Sequence, residues 1–146
     1  MTITAKSSAE TFEYGERLAH CIDPGDVVLL YGGLGAGKTL LTKGILAGLG
    51  YDIDEVTSPS FTLVNLYKAE RFEVYHIDLW RLDGGRNVAE AVGLEEIVDA
   101  ENSVAIIEWA DRLGEVSFLN RVLKITLEGD GDEPRRITVL PEIELR

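Results

Sequence analysis

Apolar residues return along this chain at two intervals, about every third or fourth position in some stretches and in unbroken short runs in others, which separates helices from buried strands. Phe12, Leu18, Ala19 and Ile22 fall at helical spacing behind Ser7 and Glu10, a Ser-x-x-Glu capping box, and predict a helix over 8–22. Asp23-Pro24-Gly25-Asp26 is a turn, and the run Val27-Val28-Leu29-Leu30-Tyr31 then reads as a strand covered on both faces and ended by Gly32. From Lys38 to Leu49 the helical interval resumes through Leu40, Leu41, Ile45, Leu46 and Leu49, with Gly50 as its stop. Phe61 to Tyr67 and Phe72 to Ile77 are strand-like. The short polar link Lys68-Ala69-Glu70-Arg71 favours pairing them antiparallel.

A helix over 88–98, interrupted at Gly93, follows a Gly-Gly turn; Val104-Ala105-Ile106-Ile107 is a further buried strand, ended by Glu108. Val122 to Leu127 and Ile137 to Leu140, around Gly129-Asp130-Gly131-Asp132, form a closing hairpin. Buried parallel-type strands alternating with helices, then hairpins, predict an α/β fold with a mixed, mainly parallel central sheet flanked by helices and a C-terminal β-hairpin. No repeat or linker divides the 146 residues, so a single domain over 1–146 is expected.

Composition narrows the function. Hydrophobic residues make up 45% and charged residues 27%, an ordinary folded-protein balance that disfavours disorder and membrane classes. No stretch resembles a secretion signal or a bilayer span, and the expected location is the cytoplasm. The net charge of −12 repels phosphate backbones and anionic membranes, so nucleic acid would have to be brought by something other than general charge. The single cysteine, Cys21, has no neighbours at metal-ligand spacing and reads as a small buried hydrophobe.

The segment Gly32-Gly33-Leu34-Gly35-Ala36-Gly37-Lys38-Thr39 matches G-x-x-x-x-G-K-[ST] in full, and it lies between a predicted buried strand and a predicted helix. Glycines let successive backbone N–H groups turn around phosphate oxygens, and the helix N-terminus adds the positive end of its dipole. Lys38 is placed to reach the β- and γ-phosphates, and Thr39 to offer its hydroxyl to Mg²⁺. A metal at such a loop needs a carboxylate, and an attacking water needs orientation. Asp78 and Glu108 both follow apolar strands, at the sheet edge where ligands of α/β folds collect. From the residues alone either could be the one that touches the metal.

Other residues have both a bland and a sharper reading. Thr57-Ser58-Pro59-Ser60-Phe61-Thr62 is a hydroxyl-rich loop or a nucleotide-sensing switch, and His76 reads as a packed histidine more than as a catalytic base. Trp80 and Trp109 are core residues or aromatic anchors for a partner. Arg135 and Arg136 balance the acidic turn or assist phosphates. Among phosphate-loop proteins, a GTPase is disfavoured by the absence of an Asn-Lys-x-Asp run and of a D-x-x-G switch, since Leu79-Trp80-Arg81 follows Asp78. A kinase is disfavoured because the nine arginines are scattered and no lid is evident.

Four blocks in order, the loop Gly32 to Thr39, Ser58-Pro-Ser-Phe-Thr-Leu-Val64, His76-Ile-Asp-Leu-Trp-Arg-Leu82 and Ile107-Glu-Trp-Ala-Asp-Arg-Leu113, resemble the bacterial TsaE (YjeE) family, ATPases needed for the threonylcarbamoyl modification of the adenosine beside the tRNA anticodon. The resemblance runs from Thr11-Phe12-Glu13-Tyr14 to the closing hairpin. It implies a small P-loop NTPase domain that binds ATP and Mg²⁺. Lys38 and Thr39 would hold phosphates and metal, Glu108 would be the second magnesium ligand, and Asp78 would assist the metal or the water. Loop residues Gly33, Leu34, Gly35, Ala36 and Gly37 would contact phosphate, Thr11 the adenine side, and a hairpin arginine, best matched by Arg136, would reach the nucleotide. It further implies partners, the TsaD and TsaB proteins, with tRNA met only through their complex and an ATP cycle that resets that complex between turnovers. The departures are Gly33 where an acid is common, Leu40 in place of a second hydroxyl, Ser60 for Thr and Trp80 for Tyr. Two alternatives stay open: a nucleotide-dependent docking module without essential hydrolysis, and a small-molecule kinase.

Overall fold

Val27-Val28-Leu29-Leu30 and Val104-Ala105-Ile106-Ile107 have no polar side chain to turn toward water, so both strands must be covered on both faces, and the architecture follows from that demand. The computed structural model describes residues 1–55, 63–68, 70–82, 88–114 and 116–141. Its strands are β1 (Thr2–Ala5), β2 (Val27–Tyr31), β3 (Val64–Lys68), β4 (Glu73–Asp78), β5 (Ser103–Glu108), β6 (Val122–Glu128) and β7 (Arg135–Leu140). Its α-helices are α1 (Ser8–Ala19), α2 (Lys38–Gly48), α3 (Val88–Ala91) and α4 (Leu94–Asp99), and short 3-10 turns cover Ile53–Glu55 and Ala110–Leu113.

The strands form one sheet in the order β1-β7-β6-β2-β5-β4-β3. The four central strands, β6, β2, β5 and β4, run parallel, while β3, β7 and β1 join through antiparallel pairings. Alternation along β2 and β5 divides the core in two. Val28, Leu30, Val104 and Ile106 pack under α1 and α2 with Leu18, Leu41 and Ile45. On the other face Val27, Leu29, Ala105 and Ile107 meet Leu94 and Ile97 of α4 and Leu113.

The α/β class, the mixed sheet and the closing hairpin agree with expectation. Helix α1 stops at Ala19 instead of Ile22, although Cys21 and Ile22 remain buried in the turn that follows. Ser7 caps it, its Oγ accepting from the Glu10 N–H at 3.2 Å, while the Glu10 carboxylate accepts from the Lys6 N–H. Arg121, at the entrance to β6, ties that turn down by donating to Asp26 Oδ1 at 2.9 Å and to the Cys21 carbonyl at 2.6 Å. The expected long helix over 88–98 is two short ones, because Gly93 takes a left-handed conformation at φ 68°. Strand β1 has no counterpart in the sequence expectations: four residues are too few to register as a period, and β7 recruits them through an edge ladder. Phe61 and the hydroxyl-rich 57–62 segment lie outside the described residues.

Helices α1 and α2 cross with their backbones in contact. A Cβ on Gly44 would stand 2.3 Å from the Phe12 carbonyl oxygen, and one on Gly15 would stand 2.6 Å from that of Leu41. This crossing fixes where α2 begins. Gly44→Ala is therefore expected to cost about 2–3 kcal/mol and to lower the thermal midpoint by roughly 10 °C. Gly33→Ala, where an added methyl meets nothing, should shift it by no more than about 2 °C, and a calorimetric scan of both variants checks the contrast.

Candidate active site

Parallel strands bring their carboxyl ends to one edge, and three of them end there in chemistry. Asp78 and Glu108 are register partners at the ends of β4 and β5, and Tyr31 ends β2 just before the glycine loop. Alternation from Val74 and from Ile106 points both acids to the sheet face that carries α2. Gly37, at φ 104°, is the N-cap of α2 and offers no side chain to the first N–H groups of the helix, which stay available to an anion. Gly32, at φ 154°, passes so close to β6 that a Cβ would meet the Leu127 carbonyl oxygen at 2.7 Å, so only glycine lets the loop leave the strand there.

Lys38 is folded back inside its own loop. Its ammonium donates to the carbonyls of Gly32 and Gly33 at 2.7 and 2.8 Å and lies 4.0 Å over the Trp109 ring. Burial pushes its pKa below the ordinary lysine value, against the opposing pull of Glu108, Asp78 and Asp111. Thr39 Oγ1 donates to Glu108 Oε1 at 2.9 Å, while Glu108 Oε2 is held by His76 Nε2. Asp78 accepts from the Trp80 N–H at 2.9 Å. Burial pushes its carboxyl above the usual range, with the Trp80 N–H opposing, Glu108 adding, and His76 and Lys38 opposing.

Two clefts flank the loop. One, of about 280 Å³, lies between Lys38, Thr39, Asp78 and Glu108 and is walled by Trp80 and Trp109. The other, of about 250 Å³, lies between the start of α1 and the β6–β7 turn and is lined by Lys6, Ser7, Thr11 and Arg135. Gly35, Gly37 and Leu40 border both, so a ligand lying along the loop could span them.

The structure thus gathers Lys38, Thr39, Asp78 and Glu108 at one point, with Thr11 across the loop. Arg136 is not brought there. It lies on the exposed side of β7 opposite Glu128, whereas Arg135 donates to the Gly35 carbonyl at 3.2 Å. The strand period carried this signal: Arg135 shares its parity with the buried Ile137 and Val139, and Arg136 does not. Three contributors went unrecognised in the sequence. His76 grips Glu108, Trp109 stacks on Lys38, and Lys6 enters the second cleft through β1. Trp80 and Trp109 are neither plain core nor isolated anchors, because their rings stack on each other at 4.4 Å. Among the described residues no cluster of three or more His, Cys, Asp or Glu could hold a metal by itself. Thr39 and Glu108 nonetheless present hard oxygen donors side by side, a donor chemistry that would suit Mg²⁺.

The raised Asp78 pKa has a consequence for stability. The neutral acid favours the folded chain below the ordinary carboxylate range, and that contribution is lost as pH rises through the raised native value. Asp78→Asn keeps the acceptor for the Trp80 N–H and removes the buried charge. Its thermal midpoint at pH 7 should exceed the parent's by a few degrees, on the order of 1 kcal/mol, and the gain should vanish below about pH 4. Paired melting curves across that range check it.

A family model described as threonylcarbamoyl adenosine biosynthesis protein TsaE matches residues 5–137. The tRNA threonylcarbamoyladenosine biosynthesis protein TsaE of Treponema pallidum is 34% identical over 140 residues, 95% of this chain and 99% of that one. The TsaE of Bacillus subtilis is 37% identical over 129 residues, 88% and 78% of the two chains. A crystal structure of YdiB from the same organism superposes with a TM-score of 0.74 at 32% identity, covering 95% of this chain and 83% of that one. No helix among the described residues is long and apolar enough to cross a membrane. With most of its length matched in sequence and in fold, the chain belongs to the TsaE family of threonylcarbamoyl adenosine biosynthesis proteins.

Proposed function

We propose that this chain is a Mg²⁺-dependent ATPase of the P-loop type that serves tRNA threonylcarbamoyladenosine formation by cycling the TsaD–TsaB complex between turnovers. The observation that carries this reading is the Thr39–Glu108 hydrogen bond at 2.9 Å, which joins the head of α2 to the end of β5 beside an uncapped helix N-terminus. Lys38 leaves the carbonyls of Gly32 and Gly33 for the β- and γ-phosphates, exchanging neutral acceptors for charged ones. The N–H groups of Gly33, Leu34, Gly35, Ala36 and Gly37 line the phosphates. Thr39 and Glu108 hold the metal, which when bound neutralises charge on the phosphates. Asp78, the register partner of Glu108 at the same edge, orients the attacking water. Ser7, Thr11 and Arg135 receive the adenosine side in the second cleft, Arg135 taking the place that resemblance assigned to Arg136.

The charge of −12 fits a subunit that leaves tRNA to its partners. Hydrolysis should be slow with the chain alone and rise at least about tenfold on adding TsaD and TsaB. Lys38→Ala should abolish that rise, by about 100-fold or more in kcat, with the thermal midpoint preserved. Hydrolysis indifferent to the partners overturns the cycling role. Multiple rounds of tRNA modification sustained by a non-hydrolysable ATP analogue would convert the reading to a docking module.

A further inference from the structure

His76 is the most deeply buried ionisable side chain near the site, at 0% exposure, on a strand face it shares with Val74 and beside the Tyr67 ring. An apolar residue would pack there without desolvating an imidazole, so its presence calls for a polar reason. The register supplies one. His76 lies opposite Ile106, and Glu108 stands two residues further along β5 on the same face, within diagonal reach of a long side chain. Its Nε2 meets Glu108 Oε2, and its Nδ1 has no hydrogen-bond partner. A carboxylate only accepts, so the ring carries its proton on Nε2 and spends it on Glu108.

Resting on the reading of this edge as a Mg²⁺-nucleotide site, we infer that His76 is its positioning residue: by holding Oε2 of Glu108 it keeps Oε1 aimed at Thr39. Left alone, a glutamate at a strand end samples several rotamers and could instead turn toward Lys38. With Oε2 held from below and Oε1 held by Thr39, the carboxylate has one orientation, and the oxygen that faces the loop is fixed before any ligand arrives. His76 itself touches neither phosphate nor metal. Its effect passes through Glu108 alone.

The test titrates Mg²⁺ into the 146-residue chain with a fluorescent ATP analogue and compares His76→Phe, which keeps a ring but loses the donor, with His76→Gln, whose amide can donate from nearly the same place. Phe is expected to raise the Mg²⁺ concentration at half-effect about tenfold or more, and Gln to restore it to within about threefold, with metal-free nucleotide affinity unmoved in both. An unmoved Phe variant overturns the inference, as does equal weakening by Phe and Gln. A wild-type chain whose nucleotide binding ignores Mg²⁺ instead overturns the functional reading, and with it any role of His76 toward the metal. A second measurement holds if Phe fails to fold: ¹⁵N NMR of the unliganded wild type should show His76 protonated at Nε2, with a signal that moves in Glu108→Gln while that of His20 does not. A proton on Nδ1, or indifference to Glu108→Gln, overturns the inference.

Discussion

Burying the Glu108 carboxylate at the end of β5 costs more than the neighbouring apolar strands return unless its oxygens are paired, and the pairing dictates where three other elements lie. Thr39 brings the start of α2 to one oxygen, and His76 brings β4 to the other. Register then sets Asp78 beside Glu108, at the edge of the sheet where the loop from β2 leads into α2. The hydrophobic core supports this placement from both sides. The contact of α1 on α2 at Gly15 and Gly44 holds the helix axis, and β2 and β5 hold the floor.

The same edge is where the molecule gives up stability. Lys38 and Asp78 are both shifted away from their charged forms by burial, and Lys38 spends its ammonium on two carbonyls of its own loop. Groups held under such conditions gain from a neighbour of opposite charge. Trp109, at φ 58° and stacked on both Lys38 and Trp80, closes the wall of the cleft in a backbone conformation that few residues other than glycine adopt. The strain lies at the end of β5, one residue beyond the carboxylate on which the site depends.

Sheet edges complete the second cleft. Strand β1 pairs with β7, which delivers Lys6 and Ser7 to the opening opposite Arg135. Arg135 in turn donates to carbonyls of Glu133, Gly131 and Gly35, so one guanidinium ties the hairpin turn to the glycine loop.

Local pattern was enough for much of this. The runs in β2 and β5, the helical interval after Lys38 and the capping box at Ser7 are written in nearest-neighbour chemistry, and each appears in place. The loop from Gly32 to Thr39 was legible for the same reason, since its motif is one contiguous stretch between a strand and a helix. The acids Asp78 and Glu108 were found by their position after strands, but which oxygen faces which partner was not, because Thr39 and Glu108 are 69 residues apart and meet only when the sheet closes. His76 looked like a packed histidine because nothing within β4 announces a carboxylate on β5. The choice between Arg135 and Arg136 turned on which face of β7 meets the core, and β1 existed only once β7 offered it an edge. Sequence by itself determined most of the elements and the contiguous glycine loop; tertiary structure decided the edge strand β1 and the pairing of buried charges, because that pairing is a cost shared between distant segments and is resolved only when they are brought out of water together.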